Sequence, residues 1–316
     1  MNSTKDRIAL LFPGQGSQSL GMGQQIASAY ELAAQTYSAA DRILGYSLSA
    51  ISWHGPEEKL NDTEYTQPAL FVHSVSVLKV IRQLFPDFHP DFVAGHSMGE
   101  LSALFAAKSF TFEAGLKLVQ TRGQLMKQAG DISPGGMAAI LGLSIAALEE
   151  ICTSVSRDKE IVQIANDNSP GQVVISGSSA ALERAMQAAQ EAGARRTVRL
   201  AVSIAAHSPL MSHVQERFNE AVGSVEISDP AIPIIGNVQA LPLLDADNIR
   251  IDLQAQLNSR VRWTESIEYM VSQGVSIFLE IGNNSVLTGL LKRIDRSAKG
   301  YAIGNPADID NLFEIL

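Results

Sequence analysis

The chain has 316 residues, 46% hydrophobic and 18% charged, with a formal net charge of −9 at pH 7. That composition builds a real core and excludes a disordered chain. The length suits one large domain or two unequal ones at about 100–200 residues each, and the acidic balance argues against a broad nucleic-acid footprint.

The lone cysteine, Cys152, cannot close an internal disulfide and fits a reducing compartment. The polar opening, MNSTKDRIALLFPG, lacks the apolar core of a leader, and no run of about 18 apolar residues occurs. The expectation is a cytoplasmic chain with no membrane partner. RIALLFPG reads as a buried strand running into the glycine-rich loop PGQGSQSLGMG. Helical periodicity follows over residues 26–44 and 66–84, then a short strand, FVAGH, and a helix from Ser97 to about Ala107. Thr111 stands as an N-cap, with Glu113 in the first turn of a helix reaching about Ala129. Such alternation predicts a parallel sheet covered by helices.

The pattern then changes. GGMAAILGL reads as a strand, SIAALEEICTSV as a helix, and IVQIAN and QVVISG as two strands about the turn DNSPG. SSAALERAMQAAQEAGA is a serine-capped helix and RRTVRLAV a last strand. The order β-α-β-β-α-β is that of a ferredoxin-like unit. Beyond it come a helix over 210–222, the strands IPIIGNV and VSIFLEIG, and a helix capped by Ser285 and ending at Leu291. The expected fold class is α/β: a large α/β-hydrolase-like domain with a parallel sheet, residues 1–132 and 203–316, carrying an inserted ferredoxin-like subdomain, residues 133–202.

GHSMG, residues 95–99, matches the nucleophile elbow G-x-S-x-G. A strand turning sharply into a helix crowds the residues two before and two after the turn, so glycine suits both. The helix N-terminus adds unpaired N–H groups. A glycine-rich turn with a bystander serine would fit the same five residues; DFVA before it and ELSALFAA after it supply the strand–turn–helix setting. A serine hydroxyl needs a base near neutral pH. Among six histidines, His96 diverges from its neighbour Ser97. His207, in AVSIAAHSPLM, follows an apolar strand and precedes Ser208 as cap and Pro209 at a helix start. That puts it at the end of a strand, where open α/β sheets gather their sites. Without Ser97, a packed histidine would read the same. His207 and His213 do not share a helical face, and no metal-ligand spacing competes.

Six segments taken in order, LFPGQGSQSLGMG, AGHSMGELSAL, RGQLM, ANDNSPGQVVISG, AAHSPLM and VRWTESIEYM, resemble the malonyl-CoA:acyl-carrier-protein transacylases. These are acyltransferases of fatty-acid and polyketide synthesis, and the likeness runs from residue 8 to about 296. It implies transfer of malonyl from malonyl-CoA to the phosphopantetheine thiol of acyl carrier protein through a malonyl-serine. Ser97 would be the nucleophile and His207 the base. The backbone N–H groups of Gln15 and Met98 would form the oxyanion hole, and a backbone carbonyl at Gln256 would orient the histidine. Arg122, in LVQTRGQLM, would grip the malonyl carboxylate with two parallel bonds; by itself it reads as a helix-surface arginine. The resemblance implies no metal and no organic cofactor, CoA thioester being a substrate. Arg195 or Arg196, in RRTVR, is expected to meet a CoA phosphate or the carrier, with plain solvation of a strand face the equal alternative; a second basic stretch holds Lys292, Arg293, Arg296 and Lys299. Two departures stand out. Ala206 before the histidine leaves room beside the acyl chain, so methylmalonyl stays open as a substrate, and GNN at 282–284 predicts a changed loop with intact chemistry. The alternatives are a free-standing acyltransferase of a polyketide or malonate decarboxylase system, and a serine thioesterase or esterase.

Overall fold

The computed structural model describes residues 6–316; residues 1–5, the start of the polar opening read against a leader, lie outside the described residues. The fold is mixed α/β, built on two sheets. The first half runs β1 (Arg7–Phe12), α1 (Gln24–Ala29), α2 (Glu31–Leu44), α3 (Leu48–His54), α4 (Glu57–Asn61), α5 (Thr63–Leu84), β2 (Phe92–Gly95), α6 (Gly99–Ala106) and α7 (Phe112–Ile132). There follow β3 (Gly135–Leu141), α8 (Ile145–Val155), β4 (Val162–Ser169), β5 (Gln172–Ser178), α9 (Ser179–Glu191) and β6 (Arg196–Arg199). The remainder is α10 (Ser212–Ser224), β7 (Ile234–Ile235), β8 (Pro242–Leu243), α11 (Ala246–Gln256), β9 (Val261–Arg262), α12 (Trp263–Ser272), β10 (Val275–Ile281), α13 (Val286–Ile294), β11 (Lys299–Ile303) and α14 (Pro306–Ile315).

The larger sheet has the order β11-β10-β1-β2-β7-β8, parallel throughout except for the β7–β8 pair. Residues along a strand face opposite sides in turn. In β1 this sends Leu10 and Phe12 into the main core and Ala9 and Leu11 into a second core on the other face, with all four buried. A strand covered on both faces reads as an unbroken apolar run, as RIALLF does. The smaller sheet has the order β6-β3-β5-β4-β9. Its first four strands are mutually antiparallel neighbours, and α8 and α9 close its own core around Ile140, Ile164 and Ile175. β9 joins the edge from outside this stretch of chain, pairing parallel to β4.

Several elements differ from expectation. The helix expected over 26–44 breaks at Tyr30, whose backbone is extended (φ −128°, ψ 119°). α5 begins three residues early because Asp62 caps it, accepting the Glu64 N–H at 3.2 Å. RRTVRLAV stops at Arg199: β6 is an edge strand whose ladder on β3 ends at the Ala138–Arg199 pair. His207 therefore follows an irregular crossing segment and not a strand. IPIIGNV shrinks to Ile234–Ile235, since Asn237 leaves the ladder to serve the serine turn. Ser285 holds the N-cap position of α13 but makes no side-chain cap bond. The Glu280 carboxylate, fully buried on β10, takes that place by accepting the N–H groups of Leu287 (2.9 Å) and Thr288 (2.8 Å). Among the described residues, no helix is long and apolar enough to cross a membrane. Removing both acceptors strands two buried donors. Glu280→Ala is therefore expected to lower unfolding stability by about 1–3 kcal/mol in denaturant titration, and an unchanged midpoint would rule out this cap.

Candidate active site

The β1–β2 pair brings Phe12 beside Gly95 at the carboxyl ends of the two strands. The chain then reverses into α6 with Ser97 at φ 51°, in the left-handed region. The crowding argument is met literally. A Cβ on Gly95 would lie 2.0 Å from the Gly99 carbonyl, and one on Gly99 would lie 2.1 Å from the Phe12 carbonyl oxygen. A non-glycine residue at such φ costs about 1–3 kcal/mol and persists only where its surroundings over-determine it. Asn237 supplies much of that restraint. Its Oδ1 accepts the Ser97 N–H at 2.7 Å and its Nδ2 donates to the Gly95 carbonyl at 2.7 Å.

Ser97 Oγ lies 2.7 Å from His207 Nε2. His207 is buried and also left-handed, at φ 57°. Its Nδ1 faces two backbone carbonyls, Gln256 at 2.9 Å and Ser259 at 3.1 Å. Carbonyl oxygens only accept, so Nδ1 carries the hydrogen and Nε2 offers its lone pair to the serine. Burial, then the nearby Arg122 cation, pushes the imidazole pKa down to about 3. Arg122, fully buried on α7, donates from Nη1 to Gln67 Oε1 (2.9 Å) and from Nη2 to Gln256 Oε1 (2.8 Å) and Ser97 Oγ (3.1 Å). Burial lowers its pKa to about 10, with Glu100 opposing, so it remains a cation at neutral pH.

These groups open on a cavity of about 440 Å³, walled on one side by Met137, Val174 and Leu200 of the smaller sheet and its exit. Gln15 and Met98 both line it. The N–H groups of Ser97, Gly99, Glu100 and Leu101 have acceptors, while among the described residues none is found for those of Gln15 and Met98. The Gln15 loop is pinned from behind. Asn283 Nδ2 donates to the Ser17 carbonyl (2.6 Å) and Ser19 Oγ (2.9 Å), and Asn284 Nδ2 donates to the Ser17 carbonyl (2.8 Å). The GNN segment is thus a brace for that loop. Ala206 lines the cavity. His96 turns to Asn168 Oδ1 at 2.8 Å.

Arg196 is not brought to the cavity. It is exposed at the start of β6, opposite Leu141, whereas the chain reaches the cavity at Leu200. Gln67, Asn237 and Ser259 carry no signal in the sequence that points to the site, whereas Asn168 lies inside the motif ANDNSPG.

A family model described as the acyl transferase domain matches residues 9–304. The chain is 40% identical over 310 residues to the malonyl CoA-acyl carrier protein transacylase of Haemophilus influenzae, covering 98% of this chain and 99% of that one. An acyl carrier protein S-malonyltransferase structure from Vibrio cholerae aligns with a TM-score of 0.93 at 42% identity, over 97% of this chain and 99% of that one. A malonyl-transacylase solved in complex with its type II PKS acyl-carrier protein aligns with a TM-score of 0.94 at 40% identity, over 98% and 100%. With a family model over most of its length and relatives at about 40% identity across nearly the whole chain, the chain belongs to the acyl transferase family, among the malonyl CoA-acyl carrier protein transacylases.

Proposed function

We propose that this chain carries malonyl from malonyl-CoA to the phosphopantetheine thiol of an acyl carrier protein, through an ester on Ser97. The observation that carries this reading is the triple meeting at one oxygen: Ser97 Oγ bonded at once to His207 Nε2 and Arg122 Nη2. Ser97 attacks the thioester carbonyl as its proton passes to Nε2. The charge on the tetrahedral oxygen meets the N–H groups of Gln15 and Met98. His207 then protonates the departing CoA thiolate, and later deprotonates the carrier thiol for the reverse sequence.

Arg122 has hydrogens for a carboxylate. Nη1 uses one of its two, and Nη2 releases one when Ser97 becomes an ester, leaving a pair for two parallel bonds. A carboxylate there also neutralises the cation that depresses His207, so an acidic acyl group strengthens its own base. The bulk of the smaller sheet over the cavity keeps water from the ester, which favours transfer over hydrolysis. No metal or organic cofactor enters this chemistry; CoA thioester is the donor substrate.

The finer architecture belongs to the same reading. The parallel sheet with its serine turn supports an α/β-hydrolase-like domain over 1–132 and 203–316, and the strand order β6-β3-β5-β4 supports a ferredoxin-like unit over 133–202. A cytoplasmic setting goes with the lone cysteine. Arg196, exposed and away from the cavity, suits a solvated strand or a distant carrier contact. A polyketide carrier is a second acceptor, favoured by the structural neighbour bound to a type II PKS carrier.

Intact-protein mass spectrometry after malonyl-, methylmalonyl- or acetyl-CoA, followed by carrier protein, tests this. Malonyl is expected on the parent and none on Ser97→Ala, with transfer once holo-carrier is added; free malonate released without carrier would indicate a thioesterase instead. Arg122→Ala should weaken malonyl loading by about 2–5 kcal/mol in its rate-derived free energy, with acetyl loading much less affected. The imidazole is neutral above its folded-state pKa, so His207 should stay neutral from pH 8 to pH 5 when followed by NMR of histidine-labelled protein. Removing the cation in Arg122→Ala should move its midpoint upward, and a parent midpoint near the ordinary value of about 6.5 would contradict the description of the site.

A further inference from the structure

Glu100 follows the nucleophile by three residues on α6 and is fully buried. Its Oε2 accepts a hydrogen bond from Gln256 Nε2, and its carboxyl group neighbours that of Asp252 on α11, which is 4% exposed. Asp252 Oδ1 accepts the Val238 N–H at 3.2 Å. This leaves one oxygen on each acid, Glu100 Oε1 and Asp252 Oδ2, buried with no other donor. Two ionised carboxylates in contact and out of water repel strongly, and each bare oxygen carries a desolvation cost. A single proton between Oε1 and Oδ2 removes both penalties. Burial and the neighbouring Asp252 raise the Glu100 pKa well above the carboxylate range, and burial raises that of Asp252, so the pair as a unit favours holding a proton.

The pair acts on Gln256, whose groups touch three parts of the site. Its Nε2 donates to Glu100 Oε2 and to the Ser97 carbonyl (3.2 Å), its Oε1 accepts from Arg122, and its backbone carbonyl accepts from His207 Nδ1. A flipped amide would press its oxygen on Glu100 Oε2, which can only accept, and turn its NH₂ on the Arg122 guanidinium, which can only donate. Glu100 therefore joins Arg122 and the Ser97 carbonyl in fixing which end of Gln256 faces Arg122. We propose that Glu100 and Asp252 share one proton and, by holding the Gln256 amide, are positioning residues for Arg122 and His207 in acyl transfer. The proposal rests on the reading of Ser97 and Arg122 given above.

Glu100→Gln keeps the geometry, since its Nε2 donates to Asp252 and its Oε1 accepts from Gln256; Glu100→Met has similar bulk and does neither. Malonyl and acetyl loading on Ser97 should be timed for both, alongside infrared difference spectra of parent against Glu100→Gln at neutral pH. Glu100→Gln should load malonyl within about threefold of the parent, whereas Glu100→Met should lose about 10²-fold, the scale of a small misplacement in a catalytic site. Its malonyl-to-acetyl ratio should fall about tenfold as Arg122 loses its anchor. The parent should show a protonated carboxylic acid C=O band that Glu100→Gln lacks. A general loss of packing would not alter the ratio or be rescued by Gln. The proposal is overturned if Glu100→Gln is as slow as Glu100→Met, if Glu100→Met keeps the ratio, or if the band is missing. Should Glu100→Met not fold, the band and the Gln variant decide. Should the parent itself load no malonyl on Ser97, the functional reading fails, and the band alone decides the shared proton.

Discussion

The contact between Ser97 Oγ and His207 Nε2 is the bond around which the rest is arranged. Each partner sits in left-handed backbone, where an L-residue stays only under constraint. Glycines at 95 and 99 make the room for one, and Asn237 ties its amide. The other is held by two carbonyls on its far nitrogen. Neutral acceptors settle the tautomer without adding a negative charge beside the ring, so the imidazolium is less favoured than beside an aspartate. Burial and the guanidinium close by both discourage protonation of the ring.

The two sheets contribute different things. The larger one gives rigid carboxyl ends, where the Gln15 loop and the serine turn lie side by side because β1 and β2 are neighbours. The smaller one gives a wall, and the crossing after β6 brings Ala206 and His207 to the same cavity. Gln256, on α11, stitches the halves by touching the Ser97 carbonyl, the His207 imidazole and the Arg122 guanidinium at once.

Much of this was legible in the chain, and the boundary has physical causes. The serine turn is local: five residues carry both the steric demand and its solution. Strands buried on both faces and serine- or threonine-capped helices also carry local signals, and Thr111, Ser144 and Ser178 cap as such residues should. Asn237 and Ser97 are 140 residues apart, and Gln256 and Glu100 are 156 apart; no periodicity encodes such meetings. β7, β8 and β9 have two residues each, too short for an alternation to show. Ser285 has the right type for a cap, but Glu280, on the preceding strand, reaches the N–H groups of Leu287 and Thr288 with both carboxyl oxygens. Arg122 read alone as a surface residue; the family resemblance, not its helix pattern, pointed inward.

β9 lends its edge to the smaller sheet, while the chain just before it offers the two carbonyls that hold the imidazole. Thr264, just after β9, is bonded to Asp167 of β4 at 2.7 Å, and Gln163 of β4 reaches the His207 carbonyl at 2.8 Å. The ring is thereby geared to the wall. Strand β4 thus anchors both the backbone of His207 and the first turn of α12 that follows β9, so a substitution that loosens β4 slackens the hold on the imidazole from two directions at once.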